Sequence, residues 1–158
     1  MNYFIDIVNS PIGPLLIKAS SSSLTSIVLV NEAPESVSSN DVTDYAKEEL
    51  NQYFSGALQK FTVPLSPTGT RFQRLVWDSL LTIPFGKSVS YQYIAAQINN
   101  PKAVRAVGNA NGKNPIAIII PCHRVIGKNG SLTGYSWGEE AKSWLLQHEN
   151  SMSKSLLV

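Results

Sequence analysis

SYQYIAAQINNPKAVRAVGNA, residues 90–110, predicts two short helices joined by a tight turn. Ser90 caps the first helix, which covers residues 91–98. The second helix begins at Pro101 or Lys102, because proline suits a first helical position, and it ends near residue 110. The pattern is a candidate helix-turn-helix, although many helical hairpins of this kind bind nothing.

The second helix of this pair combines small residues with basic ones. Ala103, Ala106 and Gly108 leave a face that is thin enough to approach a DNA groove closely. Lys102 and Arg105 add positive charge to the same segment. Tight packing against a neighbouring helix requires the same small residues, so the spacing leaves both interpretations open.

Outward from this pair, the second half of the chain has further helical signals. Thr70 caps a helix that runs to about Leu81, and a final helix covers residues 139–149. The apolar side of the Thr70-capped helix comprises Phe72, Leu75, Val76 and Leu80. Between these helices, residues 116–120 form a short, buried, β-branched strand that ends at Pro121.

The first half of the chain predicts a small antiparallel sheet followed by one helix. The strands are expected at residues 3–8, 15–19 and 24–30. Asn40 or Asp41 caps the helix and Gly56 ends it, whereas Glu49 interrupts its apolar spacing.

A cluster of turn residues separates the two halves, at Pro64, Pro67 and Gly69. We therefore predict an α+β protein with two domains. Residues 1–66 form the small antiparallel sheet with its helix. Residues 67–158 form a mostly helical domain that contains the helix-turn-helix.

Length and composition exclude several classes of protein. The 158 residues have room for one domain or two small ones. No window approaches the roughly 18 apolar residues that span a bilayer, and the acidic N-terminal sequence predicts no signal peptide. A single cysteine rules out a disulfide framework, and together with two histidines it cannot form a four-ligand Cys/His zinc site.

The net charge of +2 conceals an uneven distribution. Residues 1–66 carry three basic and seven acidic residues, a net charge of −4, whereas residues 67–158 carry ten basic and four acidic residues, a net charge of +6. Eight basic residues and one acidic residue lie within residues 71–128 alone. This asymmetry favours a polyanionic partner for the second half, and a solvated basic face without a partner is the alternative.

Cys122 is the first candidate for chemistry. It follows Pro121, where the chain turns after the apolar run, and it precedes His123 and Arg124. A neighbouring imidazole and guanidinium favour the thiolate, which is the nucleophilic form. The alternative is that a lone cysteine is only a small buried apolar residue.

His123 needs an acid to orient it as a base, and Glu149 in the final helix is the candidate. A relay from Glu149 through His123 and a water to Cys122 is chemically reasonable, because the acid holds the tautomer and stabilises the charged imidazole. A solvated acid at the end of a helix is the alternative, and the residues alone favour that alternative for Glu149.

The pentapeptide PCHRV, residues 121–125, resembles the signature of the O6-alkylguanine-DNA alkyltransferases. The joint pattern is very specific and extends from about Gly69 to Glu149, whereas residues 1–66 match only as the family's variable, ribonuclease-H-like N-terminal domain. The supporting stretches are GTRFQ (69–73), VW (76–77), IPFG (83–86), SY (90–91), AVRAVG (103–108), NP (114–115), GY (134–135) and LL (145–146).

The resemblance implies a single-turnover DNA repair protein that needs no cofactor. Such a protein binds the minor groove of double-stranded DNA and flips an O6-alkylguanine, or an O4-alkylthymine, out of the stack. It then moves the alkyl group to its own cysteine. The resemblance also implies a monomer without an obligate protein partner or a membrane, located in the cytoplasm, at the nucleoid of a prokaryote, or in the nucleus of a eukaryote.

The resemblance further implies roles for individual residues. Cys122 is the alkyl acceptor, and His123 and Glu149 activate it through water. Asn114 is the hinge between the recognition helix and the active-site loop. Arg105 enters the stack in place of the extruded base. The other residues of the implied DNA-reading segment are Ser90, Lys102, Ala103, Ala106 and Gly108.

The implied base pocket is built from several segments. Tyr91 crowds the flipping phosphate and assists at the guanine N3 atom. Tyr135 and Ser136 close on the base, with Ser136 near the O6 atom. The Val125 carbonyl accepts from the exocyclic amine, and Lys142 matches a lysine of the family's final helix.

The chain departs from the family pattern at Trp137, where many members have a glycine, and the bulk of this side chain narrows the expected pocket. Some members hold zinc in the N-terminal domain, but this chain lacks those ligands, so we expect no metal. Members in which tryptophan replaces the cysteine bind damage without repairing it, and Cys122 argues against that branch.

Two other functions are compatible with the sequence. A non-catalytic module that recognises damaged DNA would use the basic surface and leave Cys122 incidental. A cysteine hydrolase that uses Cys122 and His148 is less consistent, because no oxyanion site or orienting acid is evident and the basic region stays unexplained.

Overall fold

The computed structural model describes residues 3–132 and 134–155 of a chain that folds into two compact units, divided between Thr68 and Gly69. The first unit contains a three-stranded antiparallel sheet and one helix, and the second consists mainly of helices. The predicted α+β class is confirmed. Within the described residues, no helix combines the length and the apolar character that crossing a membrane requires.

The sheet of the first unit has its strands in chain order. They are β1 (Phe4–Ser10), β2 (Gly13–Ala19) and β3 (Leu24–Leu29). Alternate residues of β2 are buried, as a half-buried strand requires, and β1 and β2 pack against helix α1 (Asp41–Ser55). The Asn40 side chain caps this helix by accepting from the Thr43 amide at 2.9 Å, and Gly56 ends it in the left-handed conformation with φ +87°.

The helical spacing predicts that Glu49 interrupts the buried face of α1, but Glu49 is itself part of that buried face. Its side chain is buried, and Oε1 accepts from the backbone amides of Thr62 at 3.0 Å and Val63 at 2.9 Å. These donors lie 13 and 14 residues away, so no helical period reveals them. The carboxylate therefore fastens α1 to the extended segment before the unit boundary.

The second unit contains four helices and two very short strands among its described residues. They are α2 (Arg71–Leu80), β4 (Val89–Ser90), α3 (Tyr91–Gln97), α4 (Val104–Gly112), β5 (Val125–Ile126) and α5 (Glu139–Ser155), with a 3₁₀ turn at Cys122–Arg124. Thr70 and Ser90 cap α2 and α3 as predicted. Helix α4 begins later than predicted, because Pro101 and Lys102 belong to the turn and Ala103 is the residue before the helix.

Trp77 is the central residue of α2. It is 1% exposed and its Nε1 donates to the Ala110 carbonyl of α4 at 2.8 Å. A Cβ atom at Gly69 would lie 2.4 Å from the Trp77 ring, so only glycine permits this close approach. Leu75, which the helical spacing places on the apolar side, is instead 46% exposed.

Residues 116–120 form a buried turn instead of the predicted strand. The Ile120 amide donates to the Ile116 carbonyl at 2.9 Å, and Ile118 has a positive φ of 76°, which is rare for a β-branched residue. All five side chains are buried. The apolar composition of this segment therefore reflects its burial and not a strand. Its backbone makes a tight turn just before Cys122.

Candidate active site and DNA-binding surface

Cys122 lies at the start of the 3₁₀ turn and is 2% exposed. Its amide donates to the Ile120 carbonyl at 2.8 Å. The Asn114 side chain fixes the preceding turn, because its Nδ2 donates to the Ile120 carbonyl at 2.7 Å and its Oδ1 accepts from the Ile116 amide at 3.0 Å. The predicted hinge residue thus connects the end of α4 to the backbone that carries the thiol.

The expectation that neighbouring positive charge favours the Cys122 thiolate is wrong for the folded protein. Burial raises the pKa of the thiol, and this effect outweighs the hydrogen bond from Asn114 and the positive charge of Lys142. The Arg124 guanidinium does not face the sulfur but pairs with Glu149. Cys122 therefore rests as a thiol and needs a base before it can act as a nucleophile.

Glu149 is the centre of a buried polar cluster. Its Oε2 lies 2.7 Å from His123 Nε2, and its Oε1 accepts from Arg124 Nε at 2.8 Å. Glu149 is 1% exposed and His123 is fully buried, so the alternative of a solvated helix-end acid is wrong. The structure thus brings together the acid and the histidine that the relay requires.

The protonation states of this cluster follow from its contacts. Burial alone would raise the pKa of Glu149, but hydrogen bonds and charges from His123 and Arg124 hold it far below its usual range. Burial lowers the pKa of His123. Glu149 is therefore ionised at neutral pH and accepts a hydrogen bond from Nε2–H of a neutral His123, with Arg124 as the balancing cation.

Arg124 also connects this cluster to the loop after α2. Its guanidinium donates to the Ile83 carbonyl at 2.7 Å and lies over the Phe85 ring, and the Gly86 amide donates to Glu149 at 3.3 Å. This internal role differs from the sequence prediction, in which the Arg124 guanidinium favours the Cys122 thiolate. The IPFG stretch at residues 83–86, which carries part of the family resemblance, was the available signal.

Lys142 of α5 is a second buried cation beside the site. Its side chain is 0% exposed and its Nζ donates to the Val125 carbonyl at 2.6 Å. Burial lowers its pKa, whereas the nearby Cys122 raises it. A positive charge at this place stabilises negative charge that develops on the sulfur.

Tyr91 reaches the site through the pairing of two short strands. β4 pairs with β5 in parallel, so Ser90 is opposite Ile126 and Tyr91 follows directly as the first residue of α3. Burial, and then the charge of Cys122, raises the pKa of the Tyr91 hydroxyl. The phenol is therefore a protonated donor at neutral pH.

The loop before α5 carries the other predicted pocket residues. Tyr135 is 8% exposed, Ser136 is exposed and Trp137 is half-buried. The rings of Tyr135 and Trp137 meet edge to face with centroids 6.2 Å apart, and Lys142 Nζ lies 5.7 Å from the Tyr135 ring centre. Trp137 thus contacts Tyr135, whose hydrogen bond acts to lower the pKa of Cys122.

The predicted DNA-reading residues differ in their surroundings. Lys102, Arg105 and Ala106 are exposed, and Ala103 is half-buried. The Ser90 hydroxyl caps α3 by accepting from the Tyr93 amide at 3.1 Å. Gly108 faces Tyr91, since an added Cβ would lie 3.9 Å from that ring. Among residues 71–128 the exposed basic residues are Arg71, Arg74, Lys87, Lys102, Arg105, Lys113 and Lys128.

The hydrolase alternative loses support at the site. His148 stacks on Trp144 with ring centroids 4.8 Å apart, and His123, the histidine next to Cys122, is hydrogen-bonded to Glu149. Among the described residues, no group of three or more His, Cys, Asp or Glu side chains could hold a metal ion.

Family models match both units of the chain. The DNA binding domain of 6-O-methylguanine DNA methyltransferase matches residues 71–151, and the ribonuclease-like domain of 6-O-methylguanine DNA methyltransferase matches residues 4–67. The chain therefore belongs to the 6-O-methylguanine DNA methyltransferase family.

Individual relatives are similar over nearly the whole chain. The methylated-DNA–protein-cysteine methyltransferase of Methanosarcina acetivorans is 47% identical over 151 residues, which cover 92% of this chain and 97% of the relative. The crystal structure of Mycobacterium tuberculosis O6-methylguanine methyltransferase has a TM-score of 0.87 at 46% identity, covering 96% of this chain and 94% of that chain. Mycobacterium tuberculosis OGT in complex with DNA has a TM-score of 0.85 at 47% identity, with the same coverage.

Proposed function

We propose that this protein repairs DNA by transferring the alkyl group of O6-alkylguanine, and of O4-alkylthymine, irreversibly to Cys122. The observation that carries the proposal is a thiol, the only one in the chain, buried in the turn that also places His123 against Glu149 of α5. The relatives' names describe methylated DNA and a protein cysteine, which is the same chemistry.

The transfer needs no external reagent. The thiol proton passes through a water to His123, and the sulfur attacks the alkyl carbon as the bond from that carbon to O6 breaks. The electron pair goes to the purine, which takes up one proton through a hydrogen bond from Tyr91 at N3. The proton held on His123 then returns through solvent to the Tyr91 phenolate, and guanine moves its new proton from N3 to N1. The thiol proton lost therefore equals the proton gained by guanine, and the products are a thioether and guanine.

The reaction ends with the protein consumed. Thiol–disulfide exchange breaks a bond between two sulfurs, and it does not cleave a bond between sulfur and carbon. The chain has no second cysteine to resolve the product. Each molecule therefore removes one alkyl group, and the reaction stops at one equivalent.

DNA binding is assigned to the helix-turn-helix of α3 and α4. We place α4 in the minor groove, where Ala103 and Ala106 permit close approach and the exposed Lys102 meets phosphates. Because the alkylated atom is unreachable inside the duplex, the nucleotide has to be flipped out of the stack. Arg105, in the first turn of α4, fills the gap that is left behind.

Replacing Arg105 by alanine tests this assignment. Arg105→Ala is expected to slow transfer from an alkylated duplex by about tenfold and to leave reaction with the free alkylated base nearly unchanged, since only the duplex has to be opened. Single-turnover kinetics on both substrates measure the difference. Arg74→Ala, which removes the same charge from an exposed position of α2, is the control. Equal losses of Arg105→Ala on the duplex and on the free base would contradict a flipping role.

The base is proposed to bind between the Tyr135–Ser136 loop and the Val125 carbonyl. The carbonyl has a second lone pair beside the one that Lys142 uses, and this lone pair accepts from the exocyclic amine. Trp137 lies against Tyr135 and limits the room for the alkyl group.

Trp137→Gly is accordingly expected to accelerate reaction with O6-benzylguanine by about tenfold, because a bulky adduct gains the space of the indole. Reaction with a methyl adduct should change by less than about twofold and is the control. Rates from active-site titration with each adduct check this prediction. An unchanged benzyl rate would mean that Trp137 does not line the pocket.

We assign residues 1–66 to the ribonuclease-H-like domain and residues 67–158 to the DNA-binding and alkyl-acceptor domain. The protein is proposed to act as a monomer without a cofactor. We place it in the cytoplasm, at the nucleoid of a prokaryote, or in the nucleus of a eukaryote, because its substrate is chromosomal DNA.

The deciding experiment follows a labelled alkyl group. The protein is incubated with duplex DNA that carries labelled O6-methylguanine, and the label is expected on the peptide that contains Cys122, at one equivalent per molecule. Protein that binds the duplex but stays unlabelled would overturn the transferase and leave the non-catalytic module that recognises damaged DNA.

A further inference from the structure

Two buried polar atoms close to Cys122 in the fold lack a hydrogen-bond partner among the residues that the structure describes. They are Oδ1 of Asn111 and Nδ1 of His123. Asn111 is 5% exposed and His123 is fully buried, so bulk water does not satisfy either atom. A buried polar atom of this kind normally has a protein or water partner.

Asn111 belongs to the last turn of α4, the helix assigned to the DNA groove. Its Nδ2 donates to the Cys122 carbonyl at 3.3 Å. The reverse orientation of the amide would place two oxygen acceptors against each other, so the amide orientation is fixed. The side chain therefore holds the backbone of the nucleophile and presents Oδ1 as an acceptor.

His123 presents an acceptor as well. Because ionised Glu149 accepts from Nε2–H, the neutral ring has its unprotonated nitrogen at Nδ1. One water has two protons to donate and lone pairs to accept. A water placed between them would satisfy both acceptors with its two protons and would keep a lone pair for the Cys122 thiol, which makes three hydrogen bonds, the usual number for a buried water.

We propose that Asn111 is a positioning residue that orients the water between Cys122 and His123, so that the lone pair of this water faces the thiol proton. The proposal rests on the proposed alkyl transfer and adds a fourth residue to its proton relay. The thiol proton moves to the water as the water gives a proton to Nδ1, and His123 becomes an imidazolium paired with Glu149.

The role predicts a specific change in the pH profile. In Asn111→Leu, the thiol loses its oriented acceptor and has to ionise to solvent. The rate of transfer from saturating alkylated duplex is expected to fall about tenfold at pH 7 and to recover toward the wild-type rate at pH 9. Single-turnover kinetics measure the rate, and titration with the unalkylated duplex should give a wild-type Kd.

Asn51→Leu makes the same chemical change at an exposed helical position of the first unit and should stay within about twofold of wild type. If Asn111→Leu does not fold, Asn111→Met replaces it, because a flexible unbranched side chain fills the space with less strain. A wild-type rate at pH 7 in the Asn111 variant, or an equal loss at pH 7 and pH 9, would overturn the positioning role. Wild-type protein that takes up no alkyl group would overturn the proposed function instead.

Discussion

Cys122→Ser is expected to take up no alkyl group while it binds DNA with wild-type affinity. A serine hydroxyl is a much weaker acid than a thiol, and burial at 2% exposure disfavours its ionisation further. His123, whose pKa burial lowers, is too weak a base to remove that proton at neutral pH. We expect a loss of more than about 1,000-fold in labelled-alkyl transfer, measured against an unchanged Kd for DNA.

A second variant tests whether transfer depends on the environment of the thiol as well as on its presence. Ser36→Cys in the Cys122→Ser background places a thiol at an exposed position of the first unit. This thiol lacks the His123–Glu149 pair and is expected to remain unlabelled. Label at position 36 of the double variant at a rate near that of wild type, or residual transfer in Cys122→Ser alone, would contradict the assignment.

Glu149→Gln is expected to slow alkyl transfer by about 100-fold and to reduce the free energy of unfolding by about 3 kcal/mol. The neutral amide cannot stabilise an imidazolium at His123, which accounts for the rate. It also leaves the buried Arg124 guanidinium without its counter-ion, which accounts for the stability. Single-turnover kinetics and urea unfolding at pH 7 measure the two effects separately.

The same carboxylate sets the acid sensitivity of the fold. Because the folded pKa of Glu149 is depressed, its contribution is fully present above the usual carboxyl pKa of 4.5 and is lost as the pH falls below that value. The depressed pKa of His123 acts in the same direction below its usual 6.5. Wild-type protein should therefore lose stability below about pH 6.5 through His123 and more steeply below about pH 4.5 through Glu149, and only the second of these losses should be absent from Glu149→Gln.

Glu140→Gln is the matched control, since it neutralises an exposed acid on the same helix. It should change neither the transfer rate by more than about twofold nor the free energy of unfolding by more than about 0.5 kcal/mol. Acid unfolding curves of equal slope for wild type and Glu149→Gln would contradict the linkage of Glu149 to stability.

Local sequence signals predicted most of the secondary structure because those signals act within a few residues. Thr70 and Ser90 cap helices through bonds to amides three residues away, and Gly56 ends α1 through its left-handed backbone. The wrong prediction of a strand at residues 116–120, where Ile118 has a positive φ, also comes from relying on local signals. A buried turn and a buried strand require the same apolar composition. Only the backbone path distinguishes them.

The functional residues also divide into those that the sequence identified and those that only the tertiary structure brought together. The sequence by itself determined that Cys122 is the single thiol, that His123 follows it and that positive charge is concentrated in the second half. Tertiary structure decided that Glu149 is buried against His123, that Arg124 is an internal counter-ion and that Asn111 holds the nucleophile. These contacts join residues 11 to 26 positions apart, and desolvation, which sets their pKa values, exists only after the chain has folded around them.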